Sequence, residues 1–349
     1  MVVDDVLVVG AGIVGLLCAL TLKEQGAGVR IFDAGTSRPS ASWAGGGILS
    51  PLFPWRYPDS VAALTRHARR DYRHWCDAIA EIGMPAELHE GGMFVEASLD
   101  DDIGAWAQRH GIKAEHRERS SLISNAPEVS GVWMPEIASI RNPHILKGLR
   151  QLAIQRGIKI ECAAVRRILK NRVGVELENG ERHEAGQLLL AAGHWNAQLA
   201  GHALAPGELF PVRGQMLLFR LPPGRLPIIL LSEKGYLIPR RDGLVLAGST
   251  LEPNVSDCRP TYDGERQLRQ MAETLLPELE GQQPIAQWAG IRPGCIRPEP
   301  IIRPLDDKQS CWLVGGHYRN GLVAAPATAR LVADLLQGRP AFVDPKPYR

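Results

Sequence analysis

The chain has 349 residues, of which 45% are hydrophobic and 22% charged, and a formal net charge of +2. That balance argues against a nucleic-acid partner, and the length suffices for one large core or two interlocked ones. Six cysteines scattered without C-x-x-C or Cys/His pairing predict no metal site and no disulfide framework, and point to a reducing cytoplasm.

Val6 to Val9 reads as a strand buried on both faces. Gly10, Gly12 and Gly15 follow with the spacing G-x-G-x-x-G, Ile13 to Gln25 reads as a helix, and Val29 to Phe32 returns as a strand ending on Asp33. The first glycine permits a tight turn, the second lets a pyrophosphate approach the backbone, and the third lets helix and strand pack closely. Asp33 is placed to accept hydrogen bonds from a ribose. The unit predicts a dinucleotide and leaves NAD and FAD undistinguished. Its apolar run is interrupted by glycines and preceded by Asp4 and Asp5, which fits neither a membrane span nor a signal peptide.

Between Gly35 and Pro51 comes a small-residue loop with three successive glycines, Gly45 to Gly47. It reads either as backbone pressed against a flat ligand or as a flexible surface segment. Ser60 to Ile82 reads as helical, and its basic stretch Arg66 to Arg73 as a solvated face. Mixed short strands and a helix, including Gly91 to Val95, lead to a helix over Pro143 to Gly157 and a strand over Ile158 to Glu161. Val173 to Leu177 alternates up to the turn Asn179-Gly180, and Leu188 to Ala192 is a buried strand ending at Gly193. Gly193 marks a second approach to the cofactor or a packing need alone.

Pro211 to Leu221, Tyr236 to Pro239 and Leu244 to Gly248 read as antiparallel strands of an inserted domain closed by a helix over Gly264 to Leu279. Trp312 to Val314 then returns as a strand, and Pro326 to Leu336 as a helix with Pro326 near its start. Arg292 and Arg319 each lie in a glycine-flanked loop and are candidates to grip a carboxylate with a planar guanidinium fork; the alternative is an ordinary surface place. No G-x-S-x-G elbow, metal-spaced cluster or marked Schiff-base lysine occurs, which suits a redox cofactor that carries the hard chemistry itself.

Taken together, these blocks resemble the D-amino-acid oxidase family of FAD enzymes from about Val6 to Leu336, and within it the glycine-oxidising members tied to thiazole formation in thiamine biosynthesis. The motifs that carry the resemblance include Ala44 to Pro51, Gly91 to Phe94, Ala191 to Trp195, Pro211 to Gly214, Tyr236 to Arg240, Trp288 to Gly294 and Gly316 to Gly321 with Ala325 to Thr328. The resemblance implies an α/β fold, α+β overall: a Rossmann-like βαβ FAD domain (1–84, 141–207 and 293–349) with an inserted, mainly antiparallel substrate domain (85–140 and 208–292).

The resemblance also implies site residues. Gly10, Gly12, Ile13, Val14 and Gly15 would meet the pyrophosphate, Asp33 and Ala34 the adenosine ribose, and Ala41 and Ser42 the phosphates. Gly46, Gly47 and Ile48 would line the flavin ring, with Val165 on the adenine side and Gly193 close to the cofactor. His317, Tyr318, Arg319, Asn320, Gly321, Leu322 and Val323 would lie at the flavin's pyrimidine end. Arg292 would pair with the substrate carboxylate, with Tyr236 and Arg319 closing that end. Relatives that tether FAD do so through a cysteine at a place close to Ile291; Cys295 lies several residues out of register, so non-covalent FAD is expected. The implied activity is oxidative deamination of glycine or a small amino acid, with molecular oxygen reduced to hydrogen peroxide. A dehydrogenase acting on D-amino acids or sarcosine-like amines with another acceptor is the alternative. A homo-oligomer without membrane span completes the expectation.

Overall fold

The structure, a computed structural model, describes residues 4–35, 40–98, 100–124, 126–169 and 172–349, with Asp4, Asp101 and His202 described by backbone alone. Residues 36–39 of the expected Gly35 to Pro51 loop lie outside the described residues. The first strand, Asp4–Val9, is apolar throughout its inner part because both its faces are buried: Val6 and Val8 join one core, Leu7 and Val9 the core on the other side. It pairs in parallel with Val29–Asp33 and with the second half of Arg182–Leu190. Lys159–Cys162 extends this sheet on one side; Cys311–Gly315 and the antiparallel Ile301–Pro304 extend it on the other. The polar first half of Arg182–Leu190 pairs instead with Gly174–Leu177 across the Asn179-Gly180 turn, and Val165–Ile168 completes that meander. Helices Ile13–Glu24, Ala68–Glu81, Asn142–Gln155 and Gly321–Leu336 fill the face beneath Val6 and Val8.

A second sheet of nine strands is mainly antiparallel. Its spine is Leu209–Arg220, which runs beside Ala286–Cys295 along one edge and beside Glu252–Pro253 and Leu244–Gly248 along the other. Gly235–Pro239, Ile229–Ser232, Met93–Val95, Ser130–Met134 and Glu115–Glu118 follow in order, with Ile229–Ser232 and Met93–Val95 parallel. The period-2 rule sets its two faces. Leu237 packs with Leu217, Phe219 and Val245 under the helix Tyr262–Leu275, whereas Tyr236 and Ile238 turn the other way, toward Ile48 and Met216.

Arg292, expected in a glycine-flanked loop, is carried instead by the strand Ala286–Cys295, opposite Val212. Three further expected elements differ in detail. The helix over Ser60 to Ile82 is two helices, Asp59–Thr65 and Ala68–Glu81; the Thr65 hydroxyl donates back to the Val61 carbonyl at 3.0 Å, a contact that bends helices. The helix expected to reach Leu279 stops at Leu275, because Leu276 precedes Pro277 and is extended. Pro326 is not near a helix start: the helix begins at Gly321 and carries Pro326 inside it. That proline leaves the Leu322 carbonyl without its i+4 donor, and the buried Tyr72 hydroxyl supplies one at 2.8 Å.

Candidate functional site

The loops that leave the carboxyl ends of three parallel strands, Asp4–Val9, Arg182–Leu190 and Cys311–Gly315, are Gly10 to Gly15, Ala191 to Trp195 and Gly316 to Gly321. Ligands of open α/β sheets bind at this edge. Gly10 has φ +105° and a Cβ there would sit 2.6 Å from the Ala191 carbonyl oxygen; a Cβ at Gly15 would sit 2.0 Å from the Gly10 oxygen. The turn and the strand–helix contact therefore both require glycine. Gly12 instead faces the Ser42 hydroxyl, 3.2 Å from where its Cβ would be.

Two hydrogen bonds close this cradle. The Ile13 N–H donates to Ser42 Oγ at 3.0 Å, and the Ala11 N–H to Asp33 Oδ2 at 2.7 Å. Asp33 Oδ1 accepts from Gly35 N–H at 3.0 Å. Asp33 thus braces the glycine turn, a role sequence reasoning missed, and its carboxylate has lone pairs left for further donors. In its bond with the Ile13 N–H the Ser42 hydroxyl accepts, so its own proton can still be donated. Ser42, in the short helix Ala41–Ala44, is anchored in turn by Asn142, whose side-chain N–H donates to the Ser42 carbonyl at 2.7 Å. The buried Asn142 Oδ1 has no partner.

The triple glycine is pressed against protein. A Cβ at Gly46 would lie 2.6 Å from Ile238 and 3.0 Å from Tyr236, and one at Gly47, whose φ is +90°, would lie 2.0 Å from the Ile140 carbonyl oxygen. Buried Arg240 donates to the Gly46 carbonyl at 2.8 Å. Burial draws its guanidinium down to about 10. Sequence reasoning gave Arg240 no role; its signal was a charge placed directly after the apolar strand Gly235–Pro239. Ile48 is buried beside these residues, and Gly193, with φ +63°, opens onto free space. Ala34 is exposed, and Val165 is half-buried and paired with Leu177, shortly after Cys162, the partner of Asp33 in the parallel sheet.

At the other end, Arg292 lies across Gly214, where a Cβ would be 2.0 Å from its Nη1. Its Nη2 donates to Ser249 Oγ at 2.7 Å and its Nη1 to the Thr250 carbonyl at 3.3 Å. Neither partner was visible in the sequence, since the 249–250 segment is brought over by the pairing of Leu244–Gly248 with Leu209–Arg220. Burial, with the nearby Arg319 charge, lowers the Arg292 pKa, while Tyr236 and Tyr318 act to raise it. Arg292, Arg319, Tyr236 and Tyr318 therefore form one electrostatic cluster. Tyr236 is buried and its hydroxyl reaches the Met216 sulfur at 3.7 Å. Tyr318 has φ +51°, a left-handed conformation unusual for a tyrosine.

Next to it, His317 is buried, with Nε2 3.1 Å from the Thr328 hydroxyl, and burial pushes its imidazole down to about 4. Buried Asn320 Oδ1 has no partner and marks an unmet polar need at the 317–321 turn. Gly321, Leu322 and Val323 begin the following helix, whose N-terminal end thus faces the same edge. Trp55 and Arg56 are tied down: Arg56 pairs with Glu233 and lies over the Phe53 ring at 4.2 Å, and Trp55 packs edge-on to Phe53 and Trp106. Cys295 is buried against Gly316, and Cys18, Cys76, Cys162, Cys295 and Cys311 form no disulfide. Among the described residues no cluster is suited to a metal ion, and no helix is long and apolar enough to cross a membrane.

Residues 5–335 match the model of the DAO family, FAD dependent oxidoreductase. The chain is 40% identical to a glycine oxidase of Pseudomonas aeruginosa, over 99% of this chain and 98% of that one. It is 30% identical to a bifunctional ThiO/ThiG protein of Synechocystis sp., over 95% of this chain and 51% of that protein. The crystal structure of glycine oxidase from Geobacillus kaustophilus superimposes with a TM-score of 0.89 at 23% identity, covering 99% of this chain and 97% of that one. A glycine-built turn at the strand ends, a family match across nearly the whole length and these relatives agree: the chain belongs to the DAO family of FAD-dependent oxidoreductases.

Proposed function

We propose that this enzyme oxidatively deaminates glycine or a similarly small amino acid, and that Arg292 binds the substrate carboxylate. The observation that carries the reading is a desolvated guanidinium held by two neutral acceptors, with no described carboxylate paired to it. Such a charge is left for an anionic group of the ligand. Tyr236 and Arg319 bound the same end and limit the room beside it. When bound, FAD would supply the two-electron redox chemistry, with oxygen as final acceptor and hydrogen peroxide as its product. The chain's own part is to fix and orient the substrate: His317, neutral and bonded to Thr328, is placed as a structural group and not as a base.

The FAD would be held by Gly10 to Gly15, Asp33, Ser42, Gly46 to Ile48 and the 317–323 turn, residues that the cradle geometry suits. Its binding is non-covalent in this reading: Cys295 is turned into an apolar core with Leu209 and Leu313, and position 291 carries isoleucine. Denaturing the holoenzyme and ultrafiltering should release all the flavin. The segments 1–84, 141–207 and 293–349 would form the FAD domain and 85–140 with 208–292 the substrate domain. The imine product suits thiazole formation, in a cytoplasmic homo-oligomer. The test is stoichiometry with glycine as substrate. One hydrogen peroxide, one glyoxylate and one ammonia per glycine consumed are expected; glycine loss without peroxide, dependent on an added carrier, would instead make it a dehydrogenase.

A further inference from the structure

Behind Arg292 lies a polar network that the oxidation chemistry does not itself use. Thr250 is its hinge. Its carbonyl accepts from Arg292, its hydroxyl accepts from the Gln215 backbone N–H at 2.9 Å, and the same hydroxyl donates to Glu252 Oε1 at 2.7 Å. Gln215, fully buried, donates from Nε2 to Glu252 Oε1 at 2.8 Å and to Thr261 Oγ1 at 2.9 Å, and its Oε1 accepts from the Thr261 N–H at 2.8 Å. The other Glu252 oxygen is taken by Arg213, whose Nε donates to Oε2 at 2.9 Å. Burial acts to raise the Glu252 carboxyl, yet Arg213, Gln215 and Thr250 together hold it below the usual range, so it carries a full charge.

This carboxylate is linked to the Arg292 guanidinium through one residue, Thr250, whose hydroxyl donates to Glu252 and whose carbonyl accepts from Arg292. Here it is sequestered: Arg213 faces Glu252 across the strand pair and absorbs its charge, while Thr250 presents only a neutral carbonyl to Arg292. We propose that Arg213, Glu252 and Thr250 are positioning residues that set substrate affinity: they lock the Ser249-Thr250 backbone against Arg292, with the Glu252 charge balanced by Arg213. The inference rests on Arg292 as the carboxylate ligand.

The test uses the holoenzyme with Thr250→Val, which loses both hydroxyl bonds at constant shape, Arg213→Gln, which frees Glu252, and Thr250→Ser, which keeps the hydroxyl. Thr250→Val and Arg213→Gln should each raise the glycine KM about tenfold with kcat within about twofold, and weaken by a similar factor the binding of acetate, read from the flavin absorbance shift. Thr250→Ser should behave as wild type. Unchanged KM and acetate affinity in both variants, or a loss confined to kcat, would overturn the proposal. So would a loss matched by a collapse of the thermal midpoint that Thr250→Ser shares. Arg292→Ala separates the two claims: if it too leaves glycine and acetate binding intact, the carboxylate reading fails; if it alone impairs them, only the network inference fails.

Discussion

His317 shows how one residue couples this site to pH. Its imidazole is pushed down to about 4 by burial, against about 6.5 in an unfolded chain. Between those values the unfolded chain takes up a proton that the native one refuses, so native stability falls as pH drops from about 6.5 toward 4 and is unaffected by this group above that window. Urea unfolding at pH 7.5 and pH 5 should show a loss on the order of 2 kcal/mol from this residue alone, absent in His317→Gln, which can keep the Thr328 bond without titrating. An identical pH dependence in the variant would show that the imidazole charges in place. At this scale the sequence was legible where chemistry restricts residue type: Gly10 and Gly15 have no room for a side chain, and Asp33 ends its strand in reach of the turn. It was silent on Arg240, Asn142 and Thr250, whose partners Gly46, Ser42 and Gln215 lie 194, 100 and 35 residues away in contacts made only by tertiary packing.

Among the elements, the helix Gly321–Leu336 is the most instructive. Pro326 in its interior looked like a start signal, because proline is favoured in a first helical turn. Tertiary structure instead tolerates it by giving the freed Leu322 carbonyl a donor from Tyr72 on another helix. Tyr72→Phe should therefore cost about 1–3 kcal/mol, the penalty of an unpaired buried carbonyl. In a Pro326→Ala background the same change should cost much less, since the backbone N–H restored at position 326 takes over. Chemical denaturation of the four proteins of this cycle measures the coupling; equal costs in both backgrounds would contradict it. Boundaries elsewhere shifted for similar local reasons, as at Thr65 and Leu276, and Arg292, read as a loop residue because glycines flank it, stands in the strand Ala286–Cys295, where pairing with Leu209–Arg220 outweighs the glycine signal.

For the molecule as a whole, two sheets meet around one loop. The parallel sheet supplies the cradle at its strand ends, the antiparallel sheet supplies Tyr236, Arg240 and Arg292, and Gly46 is wedged between Ile238, Tyr236 and the Arg240 bond. This division of labour was legible in the change from buried parallel-type strands to alternating ones, and in the return of the chain at Cys311–Gly315. What the sequence did not carry is that the glycine triplet is required by protein contacts before any ligand is considered. The central claim is that this assembly directs glycine, through Arg292, to the flavin. Anaerobic mixing of the purified holoenzyme with glycine measures it most directly. Bleaching of the flavin absorbance is expected in the wild type, and in Arg292→Ala a glycine requirement raised by about 2–5 kcal/mol of lost binding. A flavin that stays oxidised with glycine, or bleaches equally well in both proteins, would contradict it.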